Sequence, residues 1–136
     1  MKFTVLGSGS TGNAVLITTE KTKVLVDAGL SAKEILRRIA EVGESHENLD
    51  GVLITHEHGD HAGGLRVLMK NLNCPVFISG ETKHAYFSTR KGNDEAQKRR
   101  DALKNTTVSI ESSQDFQIGD IDFHPFSLPH DAADNF

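Results

Sequence analysis

The chain has a single cysteine, no tryptophan, one tyrosine, three prolines and no surplus of positive charge. With Cys74 alone no intrachain disulfide can form, and a small buried apolar side chain beside Pro75 is the simplest expectation for it. No apolar run approaches the roughly 20 residues that a membrane span requires. The amino terminus runs directly into a strand-like segment and lacks the positive region, long apolar stretch and cleavage site of a signal peptide. The expectation is a reduced, cytoplasmic setting with no membrane partner. A formal net charge of −4 argues against a general basic face for holding nucleic acid. It does not exclude a phosphate substrate, because bound metal ions add positive charge locally. At 136 residues with 37% apolar content, the chain suits one domain around one core.

Lys2 to Leu6 reads as a strand opening into the glycine-rich turn Gly7-Ser8-Gly9-Ser10-Thr11-Gly12-Asn13. Ala14 to Thr18 and Thr22 to Val26 read as two more strands, paired as hairpins across the turn that holds Lys21. Ser31 opens a helix. Its spacing to Glu34 is that of a capping box, in which each side chain bonds the other residue's backbone N–H. Ile35, Leu36, Ile39 and Val42 then form one apolar stripe, with Gly43 as the stop. Val52 to Thr55 is a short buried strand, a second helix begins near Gly64, and Val76 to Ser79 is a further strand.

From Thr89 to Lys104 both signs of charge mix with almost nothing apolar, which predicts a solvated helix or excursion. Lys98, Arg99 and Arg100 belong to that solvated face rather than to a phosphate contact. Thr107 to Ile110, Asp115 to Ile118 and Ile121 to Phe126 read as strands.

The chemistry is concentrated in Thr55-His56-Glu57-His58-Gly59-Asp60-His61, which holds three of the seven histidines within six residues. Imidazole and carboxylate suit Zn²⁺ and similar divalent ions, and catalytic sites keep one position open for water. In a loop after a strand, His56 and His58 can turn to one side, and Asp60 and His61 can face a second ion. Two ions sharing a water lower its pKa and make hydroxide at neutral pH. The helical protease motif H-E-x-x-H fails here, because position 60 is Asp.

The pattern His56-x-His58-x-Asp60-His61 after a buried strand is similar to the signature of the metallo-β-lactamase superfamily. Asp27, closing Val24-Leu25-Val26, resembles that superfamily's first-motif aspartate, whose implied role is to support the histidine loop without binding metal. His130, in Leu128-Pro129-His130-Asp131-Ala132, resembles the third-motif histidine that completes the first ion's set with His56 and His58. His46, His84 and His124 match nothing and are expected to be structural or solvent-facing.

With the Gly7-to-Asn13 turn and His130-Asp131-Ala132 added, the likeness narrows to the WalJ (YycJ) branch and covers Lys2 to Ala132. The resemblance implies a metal-dependent hydrolase, a phosphodiesterase or DNA exonuclease attacking with a metal-bound hydroxide. It implies up to two ions, Zn²⁺ or alternatively Mn²⁺, and DNA or another phosphodiester as partner. Asp60 is the candidate catalytic residue, placed to orient the attacking water. Ser8, Ser10 and Asn13 are candidate phosphate contacts, although a tight turn between strands explains that segment as well.

The implied fold is α/β (α+β in schemes that separate mixed sheets), an αββα sandwich. Residues 1–136 supply about its first half, a domain cut short at the carboxyl end. A later bridging aspartate and a last histidine are missing from the chain. The expectation is a good first metal site, a partial second one, and a sheet face stripped of its partner. Such a face exposes well over ~600 Å² of apolar surface, enough to predict self-association or marginal stability. Two alternatives share these residues: a hydrolase of a thioester, lactam or lactone, and a non-catalytic metal-binding or interaction module.

Overall fold

Three short apolar segments begin the fold as an antiparallel unit: β1 (Lys2–Gly7), β2 (Ala14–Thr18) and β3 (Lys23–Val26). The computed structural model of the chain describes residues 1–129, 132, 133 and 136. After β3 the sheet turns parallel, adding β4 (Gly51–Leu53), β5 (Val76–Ser79) and β6 (Thr107–Ile110) in sequence order. Parallel neighbours need crossovers, and helices supply them. Helix α1 (Ala32–Glu41) links β3 to β4; α2 (Gly59–Ala62) and α3 (Leu65–Leu68) link β4 to β5; α4 (Gly80–Phe87) and α5 (Asn93–Leu103) link β5 to β6. A separate hairpin, β7 (Phe116–Ile118) with β8 (Ile121–Phe123), follows.

The first helix shows how local chemistry sets boundaries. Ser31 Oγ accepts the backbone N–H of Glu34 at 3.2 Å, so half of the expected capping box forms. The other half does not, because the Glu34 carboxylate turns to Arg37 and Arg38. Ile35 and Ile39 are fully buried, with Leu36 and Val42 packed against the same core. At the far end Gly43 takes φ +81°, Gly43 N–H donates to Ala40 and Glu44 N–H to Ile39. This paired closure needs a left-handed residue, which glycine supplies without steric cost.

One face of the sheet packs under the helices: Leu16, Leu25, Val52 and Val76 are each fully buried there. The other face carries a row that runs across all six strands in register, Val5, Val15, Val26, Leu53, Phe77 and Val108. Here the structure corrects the stripped-face expectation. The β7–β8 hairpin lies over the middle of this row, with Phe116 stacked between Phe77 and Phe123. A mostly apolar cavity of about 230 Å³ remains between sheet and hairpin, lined by Ile17, Val26, Leu53, Phe116 and Phe126 among others. Among the described residues the margins of this face stay open: Phe3 and Val5 are each 64% exposed, and Phe126 at the cavity is 68% exposed.

Three further readings shift. The strand expected at 52–55 ends at Leu53, because the Thr55 N–H leaves the ladder for Asp27. The strand expected to reach Phe126 ends at Phe123. Helix α4 had no clear signal in the sequence, having no apolar stripe; Ser79 caps it by accepting from the Thr82 N–H at 3.2 Å. In α5 the run Lys98-Arg99-Arg100 is not one solvated face. The Arg99 guanidinium lies 4.3 Å above the Tyr86 ring and donates to the Tyr86 carbonyl at 2.7 Å. It fastens α5 to α4, while Arg100 lies over Phe87. Cys74 is buried as expected, and burial first, with the Asp50 charge second, pushes its thiol up to about 11.

Candidate metal centre

The strands β3 and β4 end side by side, and the segments that leave their carboxyl ends form the site, where open α/β sheets generally place ligands. Asp27 is the hinge. Its N–H continues the pairing by donating to the Leu53 carbonyl at 2.8 Å, while φ of +63° swings its side chain out of the strand direction and over the next loop. Left-handed backbone is uncommon outside glycine, though aspartate tolerates it better than most residues.

From that position one carboxylate collects the start and the end of the histidine loop. Asp27 Oδ1 accepts the Thr55 N–H at 2.9 Å, and the Thr55 hydroxyl lies 2.9 Å from Oδ2 and 3.0 Å from Oδ1. Asp27 Oδ2 lies 2.7 Å from His61 Nδ1. A carboxylate only accepts, so His61 carries a proton on Nδ1, and in the neutral ring Nε2 is the electron-pair donor. The hydrogen bond to Asp27, then the charges of Asp27 and Asp60, raise the pKa of His61 against the opposing effect of burial.

The same logic reaches His56, which is 3% exposed. Its Nδ1 lies 3.0 Å from the Thr55 hydroxyl. With the hydroxyl proton directed at Asp27, Thr55 accepts from Nδ1–H and Nε2 is again left as the electron-pair donor. Thr55 thus joins the candidate site residues by its contacts to Asp27 and His56. Its only signal was its place between a buried strand and the first histidine.

A second brace comes from the glycine-rich turn. Asn13 N–H donates to the Asp60 carbonyl at 2.7 Å, and the Asn13 carboxamide nitrogen lies 3.1 Å from that oxygen and 3.2 Å from His61 Nε2. Gly9 N–H donates to the Asn13 side-chain oxygen at 3.0 Å, fixing which end of the amide is which. Ala28 N–H donates to the His61 carbonyl, and Gly29 N–H to the Asn13 carbonyl. Segments 9–13, 27–29 and 58–64 are thereby laced together. Gly29 is required by proximity, since a Cβ there would meet the Asp60 carbonyl oxygen at 1.8 Å. Ser8 and Ser10, the other candidate phosphate contacts, lie exposed on the outer side of the turn.

The structure therefore brings His56, His58, Asp60 and His61 into one loop with Asp27 behind them. The His56 ring centroid lies 4.9 Å from that of His58 and 4.0 Å from that of His61. His61 Nε2 lies 3.6 Å from Asp60 Oδ2, and the Asp60 side chain is 37% exposed. Three imidazoles and a partly exposed carboxylate, two of the rings with Nδ1 engaged behind them, are a donor set that fits Zn²⁺ or a similar ion. As placed, no three His, Cys, Asp or Glu side chains among the described residues converge closely enough to chelate an ion by themselves. His130, the expected third ligand of the first ion, lies outside the described residues. Shortly beyond it the Ala133 N–H donates to Glu57 Oε1 at 3.0 Å, which ties that part of the chain to the histidine loop.

His46, His84 and His124 take no part. His84 is exposed on α4, and His124 pairs with Asp115 at 2.9 Å on the surface.

The family model for the metallo-beta-lactamase superfamily matches residues 7–133. Exodeoxyribonuclease WalJ of Streptococcus pneumoniae is 37% identical over 134 residues, covering 97% of this chain and 46% of that protein. Exodeoxyribonuclease YycJ of Bacillus anthracis is 35% identical over 144 residues, covering 98% of this chain and 47% of that protein. The chain thus spans about half the length of the curated relatives it matches. Among solved structures, the subclass B3 metallo-beta-lactamase MEM-A1 from a soil metagenome superposes with a TM-score of 0.73 at 20% identity. That match covers 98% of this chain and 52% of the other, and shows a shared fold.

Proposed function

The chain belongs to the metallo-β-lactamase superfamily, and from that membership we propose that it is the site-bearing part of a metal-dependent phosphodiesterase acting on DNA. The observation that carries the reading is the braced histidine loop: one carboxylate, Asp27, engages His61 Nδ1 directly and His56 Nδ1 through Thr55. Two relatives at 35–37% identity over nearly the whole chain are exodeoxyribonucleases, which supports DNA as the substrate; the cytoplasm is the setting proposed with it.

His56, His58 and His130 are proposed to hold one ion, with Asp60 and His61 contributing to a second; Zn²⁺ is the first choice and Mn²⁺ the alternative. Such ions, when bound, supply Lewis acidity toward phosphoryl oxygens and acidify water. The chain's own residues do the rest. Asp60, half out of the loop, is placed to accept a hydrogen bond from an attacking water and so orient it. Asp27 and Thr55 engage Nδ1 of His61 and of His56, which favours the tautomer that leaves each Nε2 to an ion. Asn13 holds the Asp60 backbone against drift.

The test compares wild type with His58→Ala on a labelled oligodeoxynucleotide and on bis-p-nitrophenyl phosphate, with Zn²⁺ or Mn²⁺ added, beside a thioester and a β-lactam. The expected result is phosphodiester turnover lost with most of the bound metal in His58→Ala, at an unchanged melting temperature. Phosphodiester turnover retained in that variant overturns the site; turnover of only the thioester or the lactam overturns the substrate class.

A further inference from the structure

Although the chain has a net charge of −4, its cations are unevenly placed. Residues 83–104 hold seven of the 15 Lys and Arg side chains against three carboxylates, a local net charge of +4. The fold sets part of this segment against the histidine loop. A groove of about 440 Å³ runs between them, with Glu57, Gly59 and Gly63 on one wall and Thr89, Arg90 and Lys91 on the other.

The carboxylates nearest in sequence are engaged elsewhere. Glu95 pairs with Arg66 at 3.2 Å and Arg99 at 3.4 Å, and Asp94 pairs with Lys98 at 3.1 Å. Asp101 accepts from the Gln97 side chain at 3.0 Å. Arg90 and Lys91, both exposed, are left without a carboxylate partner among the described residues. The backbone beneath them is shaped by the Thr89 hydroxyl, which accepts the Lys91 N–H at 3.2 Å, and by Gly92 at φ +98°. Screening at physiological salt has a length of about 8 Å, so the acidic remainder of the chain is felt weakly at this wall. A polyanion repelled by the molecule's net charge is still attracted here.

We propose that this groove carries the phosphate backbone of a nucleic-acid strand beside the scissile position, with Arg90 and Lys91 as its cationic wall. The groove shares Glu57 and Gly59 with the histidine loop, so a strand lying in it runs beside the site. This inference rests on the nuclease reading above for the nature of the strand. Its contacts go to phosphates, so it positions the strand without reading sequence.

The experiment measures fluorescence anisotropy of a fluorescein-labelled, cleavage-resistant phosphorothioate oligodeoxythymidine of about 20 nucleotides across a salt series. Three proteins are compared: wild type, Arg90→Glu with Lys91→Glu, and Lys21→Glu with Lys33→Glu, an equal change of net charge away from the groove. The groove variant is expected to bind at least tenfold more weakly. Its slope of log affinity on log salt should flatten by about 1.4, from two lost contacts to a single strand. The control pair should shift affinity less than threefold. Equal losses in both pairs, unchanged binding in the groove variant, or no binding by wild type overturns the proposal. Should the charge reversal disturb the melt, Arg90→Gln with Lys91→Gln is read by the same criteria. Wild-type turnover of bis-p-nitrophenyl phosphate reports separately on the nuclease reading. Turnover with charge-insensitive binding removes the groove alone; charge-sensitive binding without turnover of any phosphodiester removes the nuclease reading alone.

Discussion

Asp27 Oδ2 and His61 Nδ1 lie 2.7 Å apart, and that contact joins the end of the third strand to the last residue of the histidine motif. Replacing Asp27 with Ala orphans the Thr55 N–H and releases the His61 ring. The expected outcome is a 10- to 100-fold loss of Zn²⁺ affinity, read by competition with a chromogenic chelator. A stability loss of about 1–3 kcal/mol should accompany it in urea denaturation. Asp27→Asn tolerates the left-handed backbone and should recover much of the stability but little of the affinity. Equal affinity in all three proteins would remove Asp27 from its assigned role.

Gly29 and Gly80 make a paired test of close packing. A methyl group at Gly29 would collide with the Asp60 carbonyl oxygen, whereas one at Gly80 meets nothing within 4 Å. Gly29→Ala should cost about 3 kcal/mol and reduce metal uptake, because the strain falls on the loop that carries Asp60. Gly80→Ala lies in the first turn of a helix and should be neutral or stabilise by about 0.5–1 kcal/mol. Thermal melts of both variants decide it, and similar effects at the two positions would contradict the packing account.

Glu34 gives a pH dependence with a definite sign. Hydrogen bonds from Arg37 first and Arg38 second hold its carboxyl at about 2, below an ordinary 4.5, with burial opposing them. Because the folded value is the lower one, the group stabilises the fold above pH 4.5 and loses that contribution as pH falls toward 2. The melting-temperature gap between wild type and Glu34→Gln should be constant from pH 7 to about 5 and close on further acidification. A gap that persists at pH 2 would show that the carboxylate is not the source.

The sheet margin predicts association. Phe3 and Val5 on the edge strand, and Phe126 and Leu128 beyond the hairpin, are each more than half exposed. The 136-residue chain expressed alone is expected to self-associate at micromolar concentration and to bind a hydrophobic dye. Light scattering coupled to size exclusion decides it, and a dye-silent monomer would show that the β7–β8 hairpin covers the face sufficiently.

Much of this architecture is legible in local sequence. The Ser31 cap, the stripe through Ile35 and Ile39 and the Gly43 stop depend on neighbours within one or two turns, and each is found where local rules put it. The histidine motif is equally local. What sequence could not display are partners distant along the chain. Asn13 read as a candidate phosphate contact in a tight turn, yet its amide is committed to Asp60 and His61. Thr55 read as the end of a strand, and nothing local marked Gly29; the Asp27 carboxylate and the Asp60 carbonyl that come alongside them are distant in the sequence. Arg99 read as solvated because charge composition cannot reveal an aromatic ring beneath it.

The braces of the histidine loop span 28, 34 and 47 residues, from Asp27 to Thr55, Asp27 to His61 and Asn13 to Asp60. The loop is therefore not portable. A synthetic peptide holding only the motif would present its imidazoles as a flexible histidine tag does, with no tautomer fixed and no preferred ion. Ion selectivity is therefore predicted to depend on the paired strands rather than on the six-residue signature alone, and to appear, as the chain folds, no earlier than the alignment of β3 with β4.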